Sequence, residues 1–382
     1  MTKKLFAVCV AGLVLSLAVA AFAHDDKSDT KPGEKVERSL AVDAEATVTL
    51  CVASGTLQVR GWEKNEIRVR SLDAAQIDFR RIDKGKDTSR PANRIDVMVL
   101  NKSTGAHPRF DCQAIADVEM EVPAGATVQV QTRDGDIIIT GVAGAYAGSQ
   151  NGDITIERAS RFVEAGSVGG SIILKNSSGR VNLSSAGGGV EAVNIRAASD
   201  DDTFEVGTVS GDIQLERVGN PKVTAKTVNG TMTMSGPLAK AGSYGLTNMT
   251  GDIVLAMPHD ASFQLNAKVS DKHDIVSDFT LKYLSDVTPP PPPVVIKPRT
   301  PEAKGKGPEV KGKTPESKGK TPAPPAQPMP STPKPGPVIA PIVVAKPMSM
   351  SYVLRRVSAI CGSGDATISI ASFGGTVRLK KI

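Results

Sequence analysis

A short turn phrase recurs along the middle of the chain and constrains its fold more than any other feature. The phrase is a small polar residue, a glycine, usually an aspartate and then an aliphatic residue, as in Asn151-Gly152-Asp153-Ile154. Its glycines recur at intervals of 17 to 22 residues, at Gly135, Gly152, Gly170, Gly189, Gly211, Gly230 and Gly251. A fixed-period unit of one turn and one strand is typical of a stacked, quasi-one-dimensional β-fold.

Two aliphatic residues at alternate positions follow most of these glycines, for example Ile154 and Ile156. Alternate side chains of a strand point to opposite faces, so each pair contributes one apolar row. A single unit cannot bury its row, but stacking units about 4.8 Å apart joins the rows into one core. We therefore predict an all-β fold, a β-solenoid or parallel β-helix with rungs of about 18–22 residues. The alternative is a β-sandwich built from serial hairpins.

The glycines are interpreted as structural corners, because glycine tolerates positive φ and can turn the chain sharply between two strands. The clearest corners are Gly135, Gly152, Gly170, Gly211, Gly230 and Gly251. Aspartates follow four corners, at Asp136, Asp153, Asp212 and Asp252. Carboxylates on adjacent rungs are suited to a divalent cation, but Ser171 and Thr231 interrupt the series. We expect turn capping, with no metal, cofactor or catalytic residue.

The first 23 residues read as a signal peptide. Lys3 and Lys4 precede an apolar run from Leu5 to Ala20, and Ala21-Phe22-Ala23 fits a small-x-small cleavage site. The alternative is an uncleaved anchor, because the apolar run is nearly long enough to span a bilayer. No later stretch is long and apolar enough to do so. We expect export to the periplasm, cell envelope or cell surface.

Composition divides the rest of the chain into five regions. Residues 24–35 are polar and expected to be disordered, and short period-2 runs over 36–125 predict an N-terminal β region. The solenoid repeats cover 126–287. A Pro/Lys-rich insertion, expected to be disordered, covers 288–350. Alternation then returns, and 351–382 is predicted to form the closing rungs of the same solenoid.

The basic charge of the protein belongs to the insertion. Between Pro289 and Pro347 lie 19 of the 26 prolines, ten Lys or Arg and three Glu, a net charge of +7 against +6 for the whole chain. An extended basic segment of this kind favours contact with anionic cell-envelope polymers or with another envelope protein. Nucleic acid is disfavoured because the charge does not lie on a folded face. Aromatic residues, 4% of the chain, are few for stacking on bases or sugars.

Three cysteines lie beyond the signal segment: Cys51, Cys112 and Cys361. They allow one disulfide and one free thiol, and the sequence leaves the pairing open. We expect Cys51 to pair with Cys112, since both belong to the N-terminal β region. Their spacing matches no zinc motif.

These features resemble the DUF4097 family of bacterial β-strand-repeat proteins, which are often labelled adhesins. The resemblance covers residues 40–287 and 351–382. It is carried by Gly61-Trp62-Glu63 after a short strand, by Val122-Pro123-Ala124-Gly125 and by the serial Gly-Asp-Ile turns. It implies an exported, envelope-associated, adhesin-like β-solenoid without enzymatic activity. The Pro/Lys-rich insertion departs from the family pattern.

Three functions are compatible with the sequence. The favoured one is a non-enzymatic surface or envelope protein whose basic segment contacts anionic polymers. The alternatives are a polysaccharide-acting β-helix enzyme and a periplasmic scaffold or sensor. An enzyme would require acidic and basic residues that face one way on consecutive rungs, and only the aspartate series offers such a pattern.

Overall fold

Short alternating segments between glycine turns form β-strands throughout the part of the chain that the structure describes. The computed structural model describes residues 35–82, 90–101, 112–270, 272–284 and 354–382, and it contains no helix in these ranges. The predicted signal peptide, the polar stretch up to residue 34 and the basic segment lie outside them. The strands are β1 Val36–Ser54, β2 Leu57–Trp62, β3 Glu66–Ser71, β4 Gln76–Arg81, β5 Ala92–Leu100, β6 Val118–Pro123, β7 Thr127–Asp134, β8 Ile137–Thr140, β9 Gly144–Ser149, β10 Ile154–Glu157, β11 Phe162–Ser167, β12 Ile172–Lys175 and β13 Arg180–Ser185. They continue with β14 Val190–Ile195, β15 Thr203–Ser210, β16 Ile213–Val218, β17 Lys222–Asn229, β18 Met232–Ser235, β19 Ser243–Thr250, β20 Ile253–Met257, β21 Phe263–Ser270, β22 Ile275–Ser277, β23 Lys282–Tyr283, β24 Leu354–Cys361, β25 Ala366–Ser372 and β26 Val377–Lys381.

Each repeat contributes one strand to each of two sheets. The strand after a glycine corner, such as β10, pairs in parallel with β8 and β12 in one sheet, which we call sheet 1. The strand before the corner, such as β11, pairs in parallel with β9 and β13 in the other, which we call sheet 2. This parallel stacking confirms the predicted all-β solenoid and excludes a sandwich of serial hairpins.

The inward side chains of both sheets form one continuous hydrophobic cluster. Ile154 and Ile156 of sheet 1 and Val163 and Ala165 of sheet 2 are all almost completely buried, as the alternation predicts. The largest fully buried side chains, Tyr244, Phe204 and Phe263, all lie in the sheet 2 rows. Burial of each fully covered aliphatic side chain contributes about 1.5–3 kcal/mol. The stack is therefore stabilised coil by coil along its length.

Both ends of the described chain are inserted between coils that are consecutive in sequence. The second half of β1 pairs in parallel with β5 on one side and β7 on the other. In the same way, β25 lies between β19 and β21. The C-terminal coil is thus a rung of the solenoid, but it is not the last one in the stack. The N-terminal strands stack directly on the repeats, so the described parts of the N-terminal β region and of the repeats form one body.

Antiparallel strands cover the outermost coils. At one end β4 pairs with β5, and β3 pairs with β6. At the other end β24 pairs with β21, and β23 pairs with β24. Terminal coils that are covered in this way present fewer unpaired backbone groups for edge-to-edge aggregation. No helix long and apolar enough to cross a bilayer occurs within the described ranges.

The inserted C-terminal coil gives a prediction about stability. Ile368 of β25 is fully buried, in register with Tyr244 of β19 and Leu265 of β21. We expect Ile368→Ala to lower the free energy of unfolding by about 2–5 kcal/mol, because it leaves a cavity between two coils. The matched control is Ser369→Ala on the exposed face of the same strand. Equal urea midpoints for the two variants would show that this coil does not belong to the cooperative unit.

Candidate functional site

The glycine corners stack into a single column. In this column each glycine Cα lies against a backbone carbonyl oxygen of an adjacent coil. A Cβ atom on Gly170 would lie 2.1 Å from the Gly152 oxygen, and one on Gly152 would lie 1.9 Å from the Gly135 oxygen. No side chain fits at such distances. The corner glycine column consists of Gly55, Gly135, Gly152, Gly170, Gly188, Gly211, Gly230, Gly251 and Gly375.

The structure corrects two details of the sequence interpretation. The column contains Gly188, not its neighbour Gly189. Of the six clearest corners, only Gly230 and Gly251 have the positive φ that was expected of all of them. At the other four corners, glycine is required because the coils approach closely, and left-handed backbone geometry is not the reason.

A second row, of hydroxyl and amide side chains, lies inside the corner. Ser167, three residues before Gly170, donates a hydrogen bond from Oγ to the carbonyl oxygen of Gly152 on the preceding coil, at 3.1 Å. This satisfies a corner carbonyl that would otherwise be buried without a donor. The same bond is made by Ser149, Ser185, Thr208, Thr227 and Asn248. The sequence signal is Ser, Thr or Asn three positions before the glycine, and the sequence interpretation missed it.

The aspartates after the corners form a third row. Asp136 Oδ1 accepts a hydrogen bond from the backbone N–H of Asp153 at 2.9 Å, and Asp153 Oδ1 accepts one from Ser171 N–H at 2.7 Å. Asp212 and Asp252 bind the backbone N–H groups of Thr231 and Thr376 in the same way. Each carboxylate therefore joins its own coil to the next one.

Ser171 and Thr231 take part in this row through their backbone N–H groups, which donate to Asp153 and Asp212. They have no carboxylate to continue it to the following coil. A further carboxylate, Asp117, accepts the N–H of Thr56 at 2.6 Å near the N-terminal end of the stack. Bonds to a charged acceptor contribute about 1.5–3 kcal/mol when sheltered, and less at an exposed corner such as this. No group of three or more His, Cys, Asp or Glu residues that could hold a metal ion occurs in the described ranges.

One more carboxylate lies beside the corner column. Asp134 accepts a hydrogen bond from the Asn151 amide of the next coil at 2.7 Å and is paired with Arg133. The Asn151 amide, followed by the Arg133 guanidinium, lowers the pKa of Asp134 below its ordinary value. Like the carboxylates of the aspartate row, it therefore accepts a hydrogen bond from the next coil.

The cysteines and the tryptophan that the sequence singled out have structural roles or neighbours. Cys51 and Cys112 are joined by a disulfide with their Cα atoms 4.9 Å apart, and Cys361 is the free cysteine of the described ranges. Trp62 donates from Nε1 to the carbonyl oxygen of Glu66 at 2.7 Å. Lys64 Nζ and Arg68 Cζ lie 4.9 Å and 4.7 Å from the centroid of its ring, so the ring already has two cationic neighbours.

The outer face of sheet 2 carries a shallow depression of about 200 Å³. Its lining includes Phe162, Glu164, Arg180, Asn182, Thr203 and Glu205. The register stacks Tyr146, Glu164, Asn182 and Glu205 in one row across four consecutive coils. The Tyr146 and Phe162 rings lie at one end of that row, with their centroids 4.9 Å apart.

The polar side chains of this depression are unpaired. Within the described part of the chain, Glu164, Arg180, Asn182 and Glu205 make no side-chain hydrogen bond or ion pair. A second depression, of about 270 Å³ and near the N-terminal end, differs in this respect. There Lys35 is paired with Glu119 at 2.9 Å, and Arg70 is paired with Glu37 at 2.8 Å. The sheet 2 depression is therefore the better candidate for a ligand site.

A two-sheet solenoid of glycine-cornered coils, with an unpaired polar cluster on an outer face, defines a β-repeat class of protein. The family model of the DUF4097 Toastrack domain matches residues 55–283. The chain belongs to this family, as its turn pattern predicted. None of the curated proteins compared with the chain matches it.

Three solved structures are distant neighbours. A "putative cell adhesion protein" from Clostridium sporogenes covers 91% of this chain and 100% of its own, with 6% identity and a TM-score of 0.23. A "putative adhesin" from Parabacteroides merdae covers 59% and 90%, with 9% identity and a TM-score of 0.36. Another from Parabacteroides distasonis covers 59% and 91%, with 11% identity and a TM-score of 0.27.

The corner glycine column makes a prediction that uses two adjacent residues. Gly170→Ala should lower the free energy of unfolding by about 3 kcal/mol or more, because its Cβ would overlap the Gly152 oxygen. Gly169→Ala places its Cβ no closer than 3.3 Å to any atom and should cost about 1 kcal/mol at most. Urea denaturation of both variants measures the difference. Similar losses for the two would contradict the close approach of the coils.

The aspartate row makes a second prediction. Asp212→Ala should lower the free energy of unfolding by about 1 kcal/mol, because the N–H of Thr231 loses its acceptor. Asp212→Asn should restore most of the loss, since the amide oxygen also accepts a hydrogen bond. Asp201→Ala, at an exposed loop residue, is the control. A loss of wild-type stability on adding EDTA would instead favour a metal at this row.

Proposed function

We propose that this chain is an exported, adhesin-like β-repeat protein of the cell envelope or surface, which acts by binding and not by catalysis. The observation that carries the proposal is the use of the repeated carboxylates. Asp136, Asp153, Asp212 and Asp252 accept backbone N–H groups of neighbouring coils. They hold the coils together and do not converge on a point where a substrate could react.

The shape of the body supports a binding role. Solenoids present long, regular faces on which a ligand contacts several coils at once. The outward side chains of both sheets lie in rows set by the parallel register. Positions for contacting a ligand therefore recur at the coil spacing along each face. A polysaccharide-acting enzyme would need a carboxylate pair free of structural duty, which the corner aspartates do not provide.

The basic Pro-rich segment, Pro289–Pro347, is proposed to contact anionic envelope polymers. Its net charge of +7 contrasts with about −1 for the rest of the chain. Attraction between Lys side chains and a polyanion is long-range and is screened by salt, with a Debye length of about 8 Å at physiological ionic strength. Such a contact should weaken steeply as the salt concentration rises.

The segment contains three seven-residue repeats, here called heptads, at Pro301–Gly307, Pro308–Thr314 and Pro315–Thr321. The test removes charges within these heptads. In the first full-length variant, all six heptad lysines become glutamine: Lys304, Lys306, Lys311, Lys313, Lys318 and Lys320. The matched variant changes the heptad glutamates, Glu302, Glu309 and Glu316, to glutamine. We expect polygalacturonate beads to release the first variant at lower salt than wild type and the second at higher salt. Identical elution of all three proteins would contradict the proposed contact.

A further inference from the structure

The depression on the outer face of sheet 2 brings an aromatic ring together with a group of polar side chains. Phe162 lines the depression, and the Tyr146 ring packs against Phe162 just outside it. Beside Phe162 lie Glu164, Arg180 and Asn182, which have no side-chain partner among the described residues. We propose that this depression binds a neutral glycan chain, with its sugar units aligned along the stack of coils.

The aromatic end is fixed before any ligand binds. The Phe162 ring rests on Gly144, where an added Cβ would lie 2.4 Å from Phe162 Cε1. Tyr146 supports it from the neighbouring strand at a tilt of 55°. A pyranose ring has one face of C–H groups that packs on an aromatic side chain, and Tyr adds a hydroxyl at the polar edge. Because the rings are already held in place, little side-chain entropy is lost on binding.

The polar row supplies the hydrogen bonds that sugar hydroxyls require. A hydroxyl both donates and accepts, and here two carboxylates accept, a guanidinium donates and an amide does both. Glu164 and Asn182 are adjacent in register, and Asn182 is adjacent to Glu205. Since none of these groups has a side-chain partner within the described ranges, a ligand breaks no bond seen there to reach them.

The spacing and charge of the row favour an extended, uncharged chain. Successive coils place equivalent side chains about 4.8 Å apart, close to the length of one pyranose unit. Two carboxylates against one guanidinium repel polyanions, which distinguishes this site from the basic segment. The inference rests on the proposed function in one respect, since it assumes that the protein binds the glycan without cleaving it.

The experiment uses the full chain and neutral oligosaccharides of glucose, mannose, galactose and N-acetylglucosamine. Binding is first scored on an array and then measured by calorimetry for each hit. We expect Asn182→Ala and Arg180→Ala to weaken binding by about tenfold or more, which corresponds to about 1.4 kcal/mol. Gln214→Ala, which removes an exposed amide from sheet 1, is the matched control and should bind as wild type does.

Two further readouts separate this inference from the proposed function. Binding that Asn182→Ala leaves intact, or a lack of binding to any oligosaccharide, would overturn the glycan site and leave the polyanion contact standing. Glu164 and Glu205 lie two coils apart, roughly 10 Å between backbones, a spacing compatible with a hydrolytic carboxylate pair. Release of reducing ends that Glu205→Gln abolishes would support the site and overturn the non-enzymatic function.

Discussion

The fold depends on one contact, the approach of each corner glycine to a backbone carbonyl oxygen of an adjacent coil, which belongs to a glycine in all cases but Gly55. With about 2 Å between that oxygen and the place a Cβ would occupy, even alanine at Gly152 or Gly170 would push two coils apart. The stack is close-packed at its corner for this reason. The hydroxyl and aspartate rows lie beside the column and have the same coil-to-coil spacing. Ser167 then reaches the buried carbonyl, and Asp153 reaches the N–H beyond it, because the glycines bring the coils close enough.

This arrangement explains why the conspicuous sequence motif carries no ligand chemistry. The Gly-Asp step repeats because stacking repeats, and its carboxylates are bound to backbone N–H groups on the next coil. Side chains available to bind a partner must lie at positions that stacking does not constrain. These are the outward positions of the strands. Tyr146, Glu164, Asn182 and Glu205 occupy one such row, and their identities change from coil to coil while the inward residues stay apolar.

Much of the architecture could be predicted from the sequence, and the exceptions have physical causes. The alternation of apolar and polar residues predicts that pairs such as Ile154 and Ile156 are buried. The recurring glycines predict the positions of the corners. The repeat period predicts the length of a coil but not the order in which coils stack. No local sequence pattern therefore indicates that β25 lies between β19 and β21. The sheet 2 depression was missed because its residues lie about one repeat apart, although aligning the repeats would have placed Glu164 beside Asn182.

The pairing of the strands on either side of residues 285–353 shows where the solenoid accommodates the Pro/Lys-rich segment. β23 and β24, which flank residues 285–353, pair antiparallel at the covered end of the stack, with Tyr283 opposite Ala359. The described chain therefore stops at Leu284, beside Ser358, and resumes at Leu354, opposite Ser270, with both points on the antiparallel strands at this end of the stack. β25 and β26 then complete the core between two existing coils. Removing them would uncover apolar rows on both sides, so the body requires the chain beyond the insertion as much as the repeats before it.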